Sequence, residues 1–240
     1  MSNENIILVS GKSTTGKSLS LRNLAPQEGV IYLNYENNKA LPFPNKFKSL
    51  NVTEPYDTYE AFSQAEDMPE VHTIVLDTIT FMMDMFESKH VRTADDTRAA
   101  WGNYSQFFKE LMQDYVAQSS KRIVMLGHTA DVMNDKEMTL ETMVKVKGGL
   151  MNNGIEAFFT NIVSTKKVPI SILENYENEL LNITDRERML GYKHVFQTLQ
   201  TKETVNERMR SPLFMWDDSE TFIDNDITLV LERLNKFYNQ

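Results

Sequence analysis

At 240 residues, 41% of them hydrophobic and 25% charged, the chain can bury a sizeable core and has the balance of a globular protein, and no apolar run approaches the roughly 20 residues that a membrane span needs. Zero cysteines exclude disulfides and thiolate metal sites, and four scattered histidines leave little for an all-protein zinc site, so any metal is expected to arrive with a bound ligand. A net charge of -9 and a pI near 5.0 exclude a protein that coats nucleic acid through its whole surface, though not a local basic groove.

The opening Met1-Ser2-Asn3-Glu4-Asn5 is polar and acidic, without the basic and apolar regions of a signal peptide, so a cytoplasmic location is expected. Ile6-Ile7-Leu8-Val9 then reads as a strand, followed by a Gly-containing turn and a helix over residues 18–24. Gly29 to Leu33 gives a second strand and Thr73-Ile74-Val75-Leu76, ending at Asp77, a third, with a helix over residues 59–65 between them. Both strands are near-continuous apolar runs, as in a parallel sheet covered on two faces. Trp101, Tyr104, Phe108, Leu111, Met112 and Tyr115 recur at helical spacing and predict a long amphipathic helix over residues 97–118. A strand over residues 122–127 follows, then a polar stretch to Gly148-Gly149, then an apolar helix and strand over residues 154–164. Residues 196–201 and 213–216 read as strands, as in a hairpin, and residues 226–238 as a closing helix. The alternation predicts an α/β fold with a mostly parallel central sheet flanked by helices, taken as one domain over residues 1–240, whose ligands bind beyond the carboxyl ends of the strands.

The residues that carry chemistry sit at those ends. Gly11-Lys12-Ser13-Thr14-Thr15-Gly16-Lys17-Ser18 fits the phosphate-loop pattern G-x-x-x-x-G-K-[ST], placed after a strand and before a helix as the pattern requires. Glycines let the backbone approach phosphates closely, and successive N–H groups form an anion nest. Lys17 would neutralise the β and γ oxygens of ATP while the Ser18 hydroxyl binds Mg²⁺. Asp77, ending an apolar strand, suits the magnesium shell or a helix N-cap. Glu36, just past the second strand, could orient and deprotonate an attacking water, or be a solvated loop glutamate. His128 could contact the γ-phosphate or be structural.

Several blocks in order resemble the RecA-like core of bacterial recombinases and, more closely, of compact phage single-strand annealing ATPases. They are the phosphate loop with Thr14-Thr15 before Gly16-Lys17, the strand Val30-Ile31-Tyr32-Leu33-Asn34-Tyr35-Glu36, Thr73 to Thr78 with its aspartate and hydroxyl pair, Thr97-Arg98-Ala99-Ala100-Trp101 opening a long helix, His128, and Gly148-Gly149. The resemblance covers residues 5–165, with residues 166–240 read as an extension of the sheet by a hairpin and helix. It implies Glu36 as the catalytic glutamate, His128 as a polar sensor, ATP and Mg²⁺ as ligands, and self-association into an oligomer. If the chain is phage-encoded, the location is the host cytoplasm. Two departures stand out: few residues precede the first strand, where the bacterial members carry a subunit-docking helix, and histidine replaces the bacterial sensor's amide.

The resemblance further implies single-stranded DNA at two loops, residues 89–98 and 129–147, with Arg92, Arg98, Lys145 and Lys147 as contacts. In the second loop Lys136, Lys145 and Lys147 face Asp131, Asp135, Glu137 and Glu141, so that loop is not basic overall. Lys202, Arg208 and Arg210 are candidates to reach a neighbouring subunit's γ-phosphate. The implied function is a DNA-stimulated ATPase of recombination or annealing, with a single-strand binding protein as a possible partner. An ATP-dependent adaptor without DNA contacts is the competing reading, and a nucleotide kinase a weaker one, because no Arg-rich lid is evident.

Overall fold

The computed structural model describes residues 4–134 and 138–239. Its nine strands are β1 (Ile6–Gly11), β2 (Val30–Asn34), β3 (Lys48–Asn51), β4 (Thr73–Asp77), β5 (Arg122–Asn134), β6 (Thr139–Val144), β7 (Asn161–Pro169), β8 (Tyr192–Gln197) and β9 (Phe222–Asp224). The sheet runs β3-β2-β4-β5-β1-β7-β8-β9, with β6 paired to the outer half of β5. From β3 to β7 neighbours are parallel, whereas β8 and β9 continue the sheet antiparallel. This is the expected α/β core with a mostly parallel sheet, closed on one side by a C-terminal antiparallel edge. The helices are α1 (Asp57–Glu66), α2 (Ile79–Phe86), α3 (Thr97–Glu110), α4 (Gly149–Asn153), α5 (Ile170–Leu173), α6 (Asp185–Leu190) and α7 (Ile227–Tyr238).

The period of two in the central strands divides the core between the two faces of the sheet. Leu8, Leu33, Ile74, Leu76, Ile123 and Met125 pack with Phe62 of α1, Met82 and Phe86 of α2 and Tyr104, Phe107 and Phe108 of α3. Ile7, Val9, Tyr32, Val75, Val124 and Leu126 face the other way, against Trp216 and the Ile227, Val230, Leu231 and Leu234 stripe of α7. At about 1.5–3 kcal/mol for each fully buried large apolar side chain, both layers matter to the fold.

Four expectations are corrected. The helix over residues 18–24 is only a 3₁₀ turn at Ser18–Leu21, because the C-terminal segment occupies the space beside it: Arg22 donates to the Asn225 carbonyl and Asn23 to Asp226. The helix over residues 97–118 changes at Leu111 into a π-helical segment ending at Val116. The polar stretch after His128 is no loop. The strand continues to Asn134 and turns back as β6, with Thr129 opposite Val144. Lys136, Asp135 and Glu137 lie outside the described residues. Finally, residues 213–216 are turn rather than strand; Phe214 has left-handed backbone (φ 63) and is 88% exposed, and β8 instead pairs with β7 and the short β9. Among the described residues no helix is long and apolar enough to cross a membrane.

Candidate active site

The phosphate loop leaves β1 under steric constraint. A Cβ on Gly11 would stand 2.1 Å from Thr165 Oγ1 on β7, so the loop can pass β7 this closely only as glycine. Gly16 has φ 107, and a Cβ there would lie 2.2 Å from Asn225 Nδ2, whose amide donates to the Gly16 carbonyl at 3.0 Å. Thr14 also takes left-handed backbone (φ 66), the kind of turn that gathers N–H groups into an anion nest. Lys17 is buried and its Nζ donates to the carbonyls of Gly11 and Lys12, at 2.9 Å each. Burial lowers its pKa to about 8, against the pull of Asp77 and Glu36.

That value sets a pH dependence. Below about pH 8 the free protein presents a cationic Lys17; above it the proton must be taken up when phosphate binds. ATP affinity should therefore be level up to about pH 8 and then fall by up to about tenfold per pH unit. Titration calorimetry in buffers of different ionisation heat would show both the fall and the proton uptake, whereas flat affinity from pH 7 to 9.5 would show that the Lys17 pKa is not lowered in the free protein.

Asp77 is buried at the end of β4. Its Oδ2 accepts from Ser18 Oγ at 2.7 Å and from Tyr32 OH at 2.7 Å, while Oδ1 is buried without a hydrogen-bond partner. Burial raises its pKa, outweighing those two donors. An orphaned carboxylate oxygen beside a serine hydroxyl fits Mg²⁺, a hard cation that takes oxygen ligands and keeps several of its waters. Ser18 and Asp77 would hold that ion, which would supply charge neutralisation to the phosphates. Asp77 is not the N-cap of α2; Thr78 fills that place, accepting from Phe81 N.

Glu36 and His128, 92 positions apart, meet across the cleft with Nε2 at 3.4 Å from Oε1. His128 is placed by its own N–H, which donates to Thr80 Oγ1 at 2.9 Å. The other Glu36 oxygen accepts from Lys39 Nζ at 2.8 Å. The His128 hydrogen bond, then Lys39, hold the Glu36 pKa down at about 2 in spite of partial burial. Together with the phosphate loop these groups line one cleft of about 340 Å³, with Leu41, Pro42 and His194 at its margin.

Four participants gave no signal in the sequence. Lys39 reaches Glu36 only because the backbone turns between them. His194 on β8 holds the Thr15 carbonyl through Nδ1 at 2.9 Å, Asn225 holds Gly16, and Asn34 braces the turn after β2. Other expected site residues are placed less freely. Arg92 pairs with Glu87, and Lys147 with Asp84 and Glu87. Arg208 pairs with Glu141 and Glu156, while Arg210 donates to the Phe159 carbonyl at 3.4 Å. Arg98, Lys145 and Lys202 are exposed. Ser13 also lines the cleft, and Lys12 turns away from it to pair with Asp131 of β5 at 2.7 Å.

A protein family described as an AAA domain matches residues 3–168, more than half of the chain. Among solved structures, a KaiC-like protein from the hyperthermophilic archaeon Pyrococcus horikoshii OT3 is similar at 9% identity, with a TM-score of 0.45 over 85% of this chain and 82% of that one. No curated protein matches the chain by sequence.

Proposed function

Since the chain belongs to the AAA domain family, and is therefore a P-loop nucleotide-binding protein, we propose that it hydrolyses ATP by in-line attack of a water oriented by Glu36. The observation that carries this reading is the convergence of Lys17, the Ser18–Asp77 pair and the Glu36–His128 pair in one cleft. Lys17 would neutralise the β and γ oxygens, and His128 would stand beside the terminal phosphate. Proton transfer to a positioned carboxylate and charge stabilisation by a buried cation are the two contributions the chain's own residues supply.

We further propose that the nucleotide state acts on a partner through the β5–β6 hairpin. β5 runs from His128 in the cleft to Asp131, which joins Lys12 of the phosphate loop to Thr142 of β6. Single-stranded DNA in a recombination or annealing reaction is the first candidate partner, reached through exposed Arg98 and Lys145. A protein partner is the second, favoured by exposed Met133, Met138 and Leu140 on the hairpin and by the internal ion pairs of Arg92 and Lys147. ATP turnover with and without single-stranded DNA separates the two. Stimulation of at least several-fold, lost in Lys145→Glu, is expected for the DNA reading; turnover indifferent to DNA would leave the adaptor.

A further inference from the structure

We propose that Lys39 is a phosphate-contacting residue supplied by the same chain, one that holds Glu36 in an ion pair at rest and transfers to the γ-phosphate of bound ATP, freeing the carboxylate. This rests on reading the cleft as an ATP hydrolysis site. The turn that carries Lys39 is built to hold it there. Asn37 and Asn38 take left-handed backbone, with φ 52 and 59, a sparsely populated conformation that asparagine tolerates better than most residues. The buried Asn34 side chain ties both ends, accepting from Glu36 N at 2.8 Å and donating to the Lys39 carbonyl at 2.9 Å. Lys39 N in turn donates to the Glu36 carbonyl at 3.1 Å. The side chain is thereby folded back over the cleft, while 71% of it stays exposed to solvent.

The charges make the transfer favourable. Among the described residues, the lysines and arginines lining the cleft are Lys17 and Lys39, opposed by Glu36 and Asp77. Lys39 feels Asp77 as well as Glu36, and Lys17 feels Lys39, so both ammonium groups share one electrostatic environment. A γ-phosphate entering that space brings more negative charge than a carboxylate, and charge-assisted bonds to phosphate are strong. Arg208, expected to serve a neighbour's phosphate, is already bound to Glu141 and Glu156. Release also matters for chemistry: the hydrogen bond to His128 and then the contact with Lys39 hold the Glu36 carboxylate well below its usual range, and losing the lysine removes the second of these and raises its basicity. The water oxygen then bonds to the γ-phosphorus as its proton passes to Glu36, and the bond to the β–γ bridging oxygen breaks with its electron pair leaving on ADP.

The test compares wild type, Lys39→Ala, Lys39→Arg and the surface control Lys46→Ala for ATP and ADP affinity by calorimetry and for kcat. Lys39→Ala is expected to weaken ATP about tenfold or more while leaving ADP within about twofold, and to lower kcat by about 10²-fold. Arginine should restore most of the ATP preference, and Lys46→Ala should change neither. Equal loss for both nucleotides, or an unchanged ATP-to-ADP ratio, would reduce Lys39 to a brace of the turn and overturn the proposal. A wild type that binds ATP without turnover removes the hydrolysis reading alone, since the affinity ratio still decides the phosphate contact. One that binds neither nucleotide removes both.

Discussion

Replacing Glu36 by glutamine should leave a protein that binds ATP and scarcely hydrolyses it. The amide keeps an oxygen able to accept from Lys39 or His128, now at 2.8 and 3.4 Å from the carboxylate, so the cleft should keep its shape. What it loses is a site for the water's proton. General-base contributions of about 10²–10⁴ in rate correspond to roughly 3–5 kcal/mol of barrier, and single-turnover hydrolysis should fall by that factor. ATP affinity should hold or rise, because a negative charge has gone from beside the phosphates. A rate within tenfold of wild type would move the base to another group.

Lys17→Ala should produce the opposite split, with nucleotide binding itself lost. The buried ammonium is anchored at the base of the loop by two carbonyls, where a phosphate oxygen can displace them without the side chain travelling far. Removing a preorganised charge of this kind costs about 10²-fold or more. The fold should tolerate the change, since desolvation of that charge is already unfavourable, as its lowered pKa shows. Melting curves separate the effects. Wild type should gain about 2.7 kcal/mol at ATP a hundredfold above its Kd, whereas Lys17→Ala should start within a few degrees of wild type and not respond. A ligand-induced shift that survives the substitution would show that Lys17 does not hold the phosphates.

Lys17 and Ser18 could be located by the phosphate-loop pattern, and Glu36, Asp77 and His128 because each closes or closely follows an apolar run of a strand, and the parallel sheet brings such points together. Lys39 could not, since its position depends on two successive left-handed asparagines and on an Asn34 side chain that serves both ends of the turn. The β5–β6 hairpin escaped notice because its paired residues, 129–134 and 139–144, mix polar and apolar types without a regular alternation along the sequence, and only Met143 and Val144 of them are buried. β9 is three residues long, too short to show any period, while the more apolar segment around Phe214 is a turn that exposes Leu213 and Phe214 and buries Met215 and Trp216. α7 was legible because its apolar residues recur at three and four positions along a single face.

The family match ends at residue 168, yet Asn225 braces Gly16 across 209 positions and α7 covers one face of the central strands. A contact of such sequence separation forms only after nearly all of the intervening chain exists and has been brought back. The loop meant for phosphate is therefore synthesised 209 positions ahead of the side chain that completes it. Until α7 arrives, the nascent sheet carries Ile7, Val9, Val124 and Leu126 uncovered, which is the interval in which this protein would depend most on a chaperone.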